Sequence, residues 1–289
     1  SHTTSDPAAI HLASGAAFAN SGTIQINSHI PKAKNNGIWI EPGNSFTNSV
    51  SGILEINKIK GASANGIDNQ GIFLNLGTIA IDSVGTAAGI YNHGSASFEN
   101  NGTISLINIE NSPAVFNDTM ASWSGNGTIT ADTFAMDAGN FSTGYPYKKA
   151  TIIADILKTG SSVDTFRIGD IAGAGMSLDN DQMIVNGDLH LDGKIVSTIQ
   201  FEYTPAPQDS FIIIKYTGAL TGQYSTSEVP PGYAVDYAIP GEVILRYTPC
   251  LHQDMAALLA IYDSTNGSAW IENTGWADGA LGSNCTPCD

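Results

Sequence analysis

Positive charge is scarce in this chain and unevenly placed. Of 289 residues, 11 are Lys or Arg against 27 Asp or Glu, a formal net charge of −16. Only two arginines occur, Arg167 and Arg246, and no cation lies between Gly61 and Tyr147. A neutral-to-acidic surface of that length repels phosphate backbones, which argues against a nucleic-acid partner, and it disfavours anionic lipid headgroups for the same reason. No apolar run approaches the length of a membrane span, so direct membrane insertion is not expected. Ser1–Ala9 lacks the basic start and apolar core of a signal peptide, and the visible start reads as a processed or trimmed end. Charged residues are only 13% of the chain, yet 42% are apolar and recur at fixed positions, which is not the profile of a disordered chain.

What is present is a repeat. Gly-Thr-Ile returns at Gly77, Gly102 and Gly127, 25 residues apart each time, and Phe73, Phe98 and Trp123 keep the same interval. A looser register runs through Gly66-Ile67, Gly89-Ile90 and Ala114-Val115. Earlier copies begin at Phe18 and Phe46, and the interval from Gly22 to Gly52 is 30 residues, as one loop insertion would make it. In each copy Phe, Ile and a second aliphatic alternate inward at the period of a strand, as Phe98, Ile104 and Leu106 do. Gly, Asn, Ser, Thr and β-branched residues dominate, and these are poor formers of helix interiors. Leucine-rich-repeat spacing is absent from this region. The expectation is an all-β fold, a right-handed parallel β-helix with about three short strands per coil. Asn20, Asn48, Asn75 and Asn100 sit just before the turn glycines. Stacked, their amides would hydrogen-bond as a ladder along the solenoid; alternatively each serves only its own tight turn.

The pattern divides the chain into coils over 1–147, terminal coils and a cap over 148–249, and a tail over 250–289. In the second part Gly-Thr-Ile is lost but strand alternation persists. Met183–Val185 and Leu189–Leu191 read as two strands meeting at Asn186-Gly187 and Asp192-Gly193 turns, and Ser210–Tyr216 reads as a buried strand. Asp209-Ser-Phe-Ile-Ile-Ile, Leu220-Thr-Gly-Gln-Tyr224 and Pro231-Gly-Tyr233 resemble the closing segment of autotransporter-like and filamentous-haemagglutinin-like β-helix passengers. Gln208 stands where glycine is usual in that pattern and Tyr224 where phenylalanine is. Such a segment would act as a cap over unpaired strand edges.

The tail has a different composition. Met255, Leu258, Leu259 and Tyr262 fall on one helical stripe, with Asp254 before it and Asn266-Gly267 after it. Asp254 to Trp276, with Trp270 and Asn273-Thr-Gly275-Trp276, resembles the N-terminal cap of bacterial extracellular leucine-rich-repeat domains. That resemblance implies a short α-containing cap and a chain that is a piece of a longer protein. All three cysteines, Cys250, Cys285 and Cys288, lie here. Cys285-x-x-Cys288 is half of a zinc site without the other two ligands nearby. A disulfide from Cys250 to Cys285 or Cys288 is the preferred reading, with the remaining thiol pairing beyond Asp289, as the resemblance implies.

Asp82-Ser83-Val84, Asp118-Thr119-Met120 and Asp263-Ser264-Thr265 resemble the short O-glycosylation sequon of Bacteroidetes surface proteins, making Ser83, Thr119 and Ser264 candidate sites. No catalytic constellation is apparent. The carboxylates Asp82 and Glu110 are not placed together by spacing, and a glycosidase needs two facing carboxylates. Asp179, Asp181, Asp188 and Asp192 form an acidic cluster but lack the glycine and terminal Glu of a calcium loop. No cofactor or metal is expected. The expected role is that of a non-catalytic adhesin or stalk, extracellular or on the outer cell surface. Its partner would be a surface glycan or protein, with self-association along a filament or surface layer. The alternatives are a polysaccharide-degrading glycosidase or lyase, and an ice-binding solenoid presenting Thr23, Thr78, Thr103 and Thr128.

Overall fold

The computed structural model describes residues 8–27, 36–60, 63–85, 87–110, 113–143, 149–170, 178–200, 203, 209–247 and 264–266. Among these the regular elements are all strands, stacked in parallel ladders as a β-helix. No helix among the described residues is long and apolar enough to cross a membrane. Each coil contributes three strands. The first ladder runs through Ala8–Leu12, Asn36–Ile40, Ile67–Asn69, Ile90–Asn92 and Val115–Asn117. The second runs through Ala17–Asn20, Ser45–Asn48, Ile72–Asn75, Ser97–Asn100, Ser122–Ser124, Asn140–Ser142 and Val163–Asp170. The third runs through Thr23–Asn27, Ile53–Ile59, Thr78–Val84 and Thr103–Ile109.

Beyond these coils one corner straightens. Thr128–Asp137 continues the third ladder with its first residues and the first ladder with Phe134–Met136. Lys149–Thr159 then pairs along it through both parts. The parallel coil persists through Gln182–Val185, Leu189–Leu191 and Lys194–Gln200, and again through Ser210–Tyr216, Leu220–Gly222 and Thr226–Glu228. Gln182–Val185 and Leu189–Leu191 therefore do not form a hairpin with each other; each pairs with the coils before and after it. Asn-Gly and Asp-Gly supply the sharp bend that a hairpin and a coil corner both need, and the local sequence does not distinguish them. Among the described residues direction reverses at two places: Leu178–Asn180 lies antiparallel to Val163–Asp170, and the chain reverses again at the end. Glu242–Tyr247 lies antiparallel to Ser210–Tyr216, and Tyr233–Asp236 antiparallel to Glu242–Tyr247, which covers the last strand of the third ladder.

The lumen is filled by stacked identical positions. Phe18, Phe46, Phe73, Phe98 and Trp123 occupy one register of the second ladder, with successive ring centroids 5.1, 4.9, 4.6 and 4.3 Å apart. Ile79, Ile104 and Ile129 stack alongside in the third ladder and are buried. Outside the lumen, Lys58, Ser83 and Asn108 share one position in three successive coils, and each has a left-handed backbone with φ of 59°, 61° and 55°. The bulge is thus inherited from coil to coil, with Asn108 Nδ2 donating to Asp82 Oδ1 of the coil before at 2.8 Å.

Asparagines line all three corners. Asn20 Nδ2 donates to Asn48 Oδ1, Asn48 to Asn75 and Asn75 to Asn100, at 2.9, 2.9 and 2.8 Å. The same side chains serve their own turns, since Gly22 N–H donates to Asn20 Oδ1 and Gly102 N–H to Asn100 Oδ1. The two readings of these residues are therefore compatible within one geometry. A second column links Asn69, Asn92 and Asn117 at 2.7 Å per step. At the third corner the Asn36 and Asn65 side chains accept the backbone N–H of Asn65 and Ala88 in the next coil.

The repeating glycine has a steric origin. A Cβ on Gly77 would lie 2.2 Å from the Gly52 carbonyl oxygen, one on Gly102 2.1 Å from that of Gly77, and one on Gly127 2.3 Å from that of Gly102. Coils approach backbone to backbone here, and only hydrogen fits between them. Gly102→Ala is expected to destabilise the protein by about 1–3 kcal/mol through this overlap. Asn75→Ala, which removes the buried ladder hydrogen bonds to Asn48 and Asn100, should cost about 1–3 kcal/mol. A lowered denaturation midpoint for both, with the exposed Thr103→Ser variant unchanged, is the result that checks these expectations.

Of the tail, only 264–266 is described, as an exposed turn. Cys250, Cys285, Cys288 and the apolar stripe from Met255 to Tyr262 lie outside the described residues.

Candidate functional site

Strand alternation that puts aliphatics and asparagine into the lumen must put the residue between them outside. In the first ladder that outward residue is His11, Trp39, Asp68, Tyr91 and Phe116 in successive coils, all in register. Four coil spacings of ~4.8 Å give the column a length of roughly 19 Å. It is an aromatic stripe with an acidic residue at its centre. The imidazole of His11 stacks on Trp39 at 4.2 Å and 6° and is bonded to Glu41 Oε1 at 3.0 Å. Tyr91 stacks on His93 at 4.4 Å and meets Phe116 at 5.2 Å, tilted by 48°. Trp39, Asp68, Tyr91 and Phe116 are all partly exposed.

The polar groups of the stripe are held in place. Asp68 accepts from Asn36 Nδ2 at 3.1 Å, from Asn65 Nδ2 and Gln70 Nε2 at 3.4 Å, and is bonded to His93 Nε2 at 2.7 Å. Tyr91 donates its hydroxyl to Asp118 Oδ2 at 2.9 Å. Burial first, then the Asp118 hydrogen bond and the nearby carboxylates, push the Tyr91 phenol up to about 12. Trp39 Nε1 is enclosed and has no hydrogen-bond partner among the described residues. The stripe therefore offers partly exposed aromatic rings flanked by carboxylates, an arrangement suited to binding. Asp68 is already engaged by several nitrogen groups of the stripe.

The residues singled out from sequence fall elsewhere. Asp82 accepts from Asn108 and Ser83, and those two hydrogen bonds, the first more than the second, hold its carboxyl below the usual value. An acid lowered in this way is a weak candidate for protonating a leaving group. Ser83 is partly buried with its hydroxyl donated to Asp82. Thr119 and Ser264 are exposed. Asp181 is buried against Arg167 in a two-pronged ion pair, and Asp188 and Asp192 accept backbone N–H groups at corners. Among the described residues no group of three or more His, Cys, Asp or Glu is placed to hold a metal. Thr78, Thr103, Thr128 and Thr151 stand in one outward register, but the column beside it reads Gln25, Glu55, Ala80, Ser105, Thr130 and Ile153.

The aromatic stripe was visible in the sequence only as the residue after each Ile67, Ile90 and Val115. Its varied identities (Trp, Asp, Tyr, Phe) hide a column that the aliphatic register alone reveals. No protein-family model and no curated protein matches the chain. Fold and surface together define a parallel β-helix protein with an aromatic–acidic stripe along one ladder.

Because the folded phenol of Tyr91 titrates above the ordinary value of 10, the stability it contributes is complete below pH 10 and is lost as pH rises towards about 12. The difference in phenolate absorbance between the parent protein and Tyr91→Phe should appear only near the upper value. Asp118→Asn, by removing a negative neighbour, should move it downward.

Proposed function

We propose that this chain is a non-catalytic surface-binding β-helix, an adhesin or stalk, whose first-ladder stripe takes an uncharged glycan. The observation that carries the reading is the register of Trp39, Asp68, Tyr91 and Phe116 on one outward column. Partly exposed rings along the column suit the apolar parts of sugar units, and Glu41, Asp68 and Asp118 suit sugar hydroxyl donors. Asp68 and Asp118, which lie in the stretch from Gly61 to Tyr147 that has no Lys or Arg, repel uronate, sulfate or sialate. Glycan recognition here rests on a surface rather than on a fold resemblance, which is the stronger ground for function.

Several finer expectations accompany this reading. They are a right-handed coil, a closing segment of autotransporter type and a leucine-rich-repeat cap with a disulfide in the tail. An extracellular or outer-surface location, O-glycosylation at the exposed Thr119 or Ser264, and a partner protein or filament neighbour of the solenoid complete the set. The parallel ladders and the lack of Lys and Arg from Gly61 to Tyr147 support the solenoid part of this set; the tail residues on which the cap and the disulfide rest lie outside the described residues.

On an array of immobilised polysaccharides the protein should bind neutral hexose polymers and leave polyuronates and sulfated glycans unbound. Trp39→Ala and Tyr91→Ala should each weaken binding about tenfold or more, with the circular dichroism spectrum unchanged. Release of reducing ends from any bound polymer would replace this reading with an enzyme. Shaping of ice crystals that is lost in Thr103→Leu would replace it with ice binding.

A further inference from the structure

In the lumen below the aromatic stack, one coil breaks the apolar pattern. The register that holds Phe98, Trp123 and Phe141 continues to Asp164 and then to Ile195. Asp164 thus stands, 1% exposed, where neighbouring coils place a ring or an aliphatic. Facing it is Lys158, 0% exposed, in a register that passes from Asn92 through Asn117 and Met136. Lys158 Nζ lies within hydrogen-bond distance of both carboxylate oxygens of Asp164. Met136 Sδ at 3.5 Å and the Phe141 ring, its centroid 5.5 Å away, complete the surroundings of the amine. Tyr224, from a much later turn, donates its hydroxyl to Asp164 Oδ2, and its backbone N–H donates to Tyr237 Oη at 3.2 Å.

An ion pair sealed in the interior is an expensive arrangement, because both charges are withdrawn from bulk solvent. Burial pushes the Lys158 amine down, against the opposing pull of Asp164, and pushes the Tyr224 phenol well up, so that it stays a hydrogen-bond donor. Moving one proton from Nζ to Oδ1 removes both charges. It leaves a neutral amine in contact with a neutral carboxyl group whose other oxygen is already polarised by Tyr224.

We propose that Lys158 and Asp164 are joined by an intramolecular isopeptide bond, formed after folding with Tyr224 as the polarising donor. The Nζ lone pair attacks Cγ of Asp164, and charge develops on Oδ2 where the Tyr224 hydroxyl stabilises it. Oδ1, already protonated, takes a second proton from Nζ and leaves as water as the C–O bond breaks. The sum is an ammonium and a carboxylate going to an amide and one water, with no oxidant, cofactor or other reactant. Enforced contact supplies the driving proximity, and effective molarities on the order of 10⁵–10⁸ M are reached by well-oriented groups. The bond would tie the strand Lys149–Thr159 to Val163–Asp170 across the Gly160–Ser162 corner, covalently linking the first and second ladders.

The test is the mass of the intact folded protein, purified without proteolysis. The expected mass is lower than that of the sequence by one water. After denaturation and trypsin digestion, the segment 150–167 should survive uncut at Lys158 and carry the same deficit. Lys158→Met, which keeps the lumen filled, should restore the full mass, and Tyr224→Phe should leave a larger share of the purified protein at full mass. An unaltered mass in the parent protein overturns the proposal and leaves a buried ion pair. So does a water deficit that persists in Lys158→Met or a normal cut after Lys158, either of which would mark a succinimide at Asp164 instead.

Discussion

Backbone contact between successive coils is the constraint from which most of this structure follows. Each strand must offer its N–H and C=O groups to the strands of the coils before and after it, so three corners per coil have to repeat in step. At the Gly-Thr-Ile corner the carbonyl of one coil sits where the next glycine would carry a Cβ. Side-chain amides then do what backbone amides do elsewhere. Asn has a donor and an acceptor on one short arm, so a column of them satisfies itself along the axis while each member still serves its own turn. Once the corners are fixed, interior residues have no freedom of register, and the phenylalanines stack ring on ring because the coil spacing leaves them no other neighbours.

That constraint also explains which features the sequence displayed. A residue that must meet its own copy recurs at the coil interval, so Gly77, Gly102, Gly127 and the Phe73, Phe98, Trp123 series announce the repeat and the strand content. Asn20, Asn48, Asn75 and Asn100 are equally visible, but spacing alone does not say whether an amide points along the axis or into its own turn. The column Asn69, Asn92, Asn117 is harder to see because its first interval, 23 residues, departs from the 25 that separate Asn75 from Asn100. Past Thr128 one corner straightens into a long strand, and the tripeptide that marked it disappears although the coil goes on. The loss of a corner motif is thus no measure of where the solenoid stops.

The outward surface obeys no such rule and was correspondingly opaque. Residues at solvent positions are free to differ from coil to coil, and at the first ladder they read His, Trp, Asp, Tyr and Phe. Only the strand pairing brings them into one line. The carboxylates chosen from sequence, by contrast, prove to be occupied by local hydrogen bonds, as Asp82 is with Asn108 and Ser83. A solenoid separates these two kinds of information cleanly: inward positions encode the fold and outward positions encode the partner, with the strand period deciding which is which.

Lys158 and Asp164 belong to neither class, and for that reason they carry the most information per residue. A solenoid interior is a stack of near-identical layers, and a layer that exchanges an aromatic for a carboxylate and a methionine for an ammonium gives up the apolar stacking of its neighbours. Hydrophobic replacements of similar volume would pack at least as well in such a place. The exchange falls at the level where the corner motif is lost and Thr128–Asp137 and Lys149–Thr159 run straight through two ladders. There the asparagine column has ended at Asn117, and the coils are held by ladder hydrogen bonds with fewer corner contacts to reinforce them. A cross-link between the first and second ladders at this height replaces the missing corner reinforcement with a covalent one. In a molecule whose coils otherwise cohere by repetition, it is the irregular coil that most needs a bond of its own.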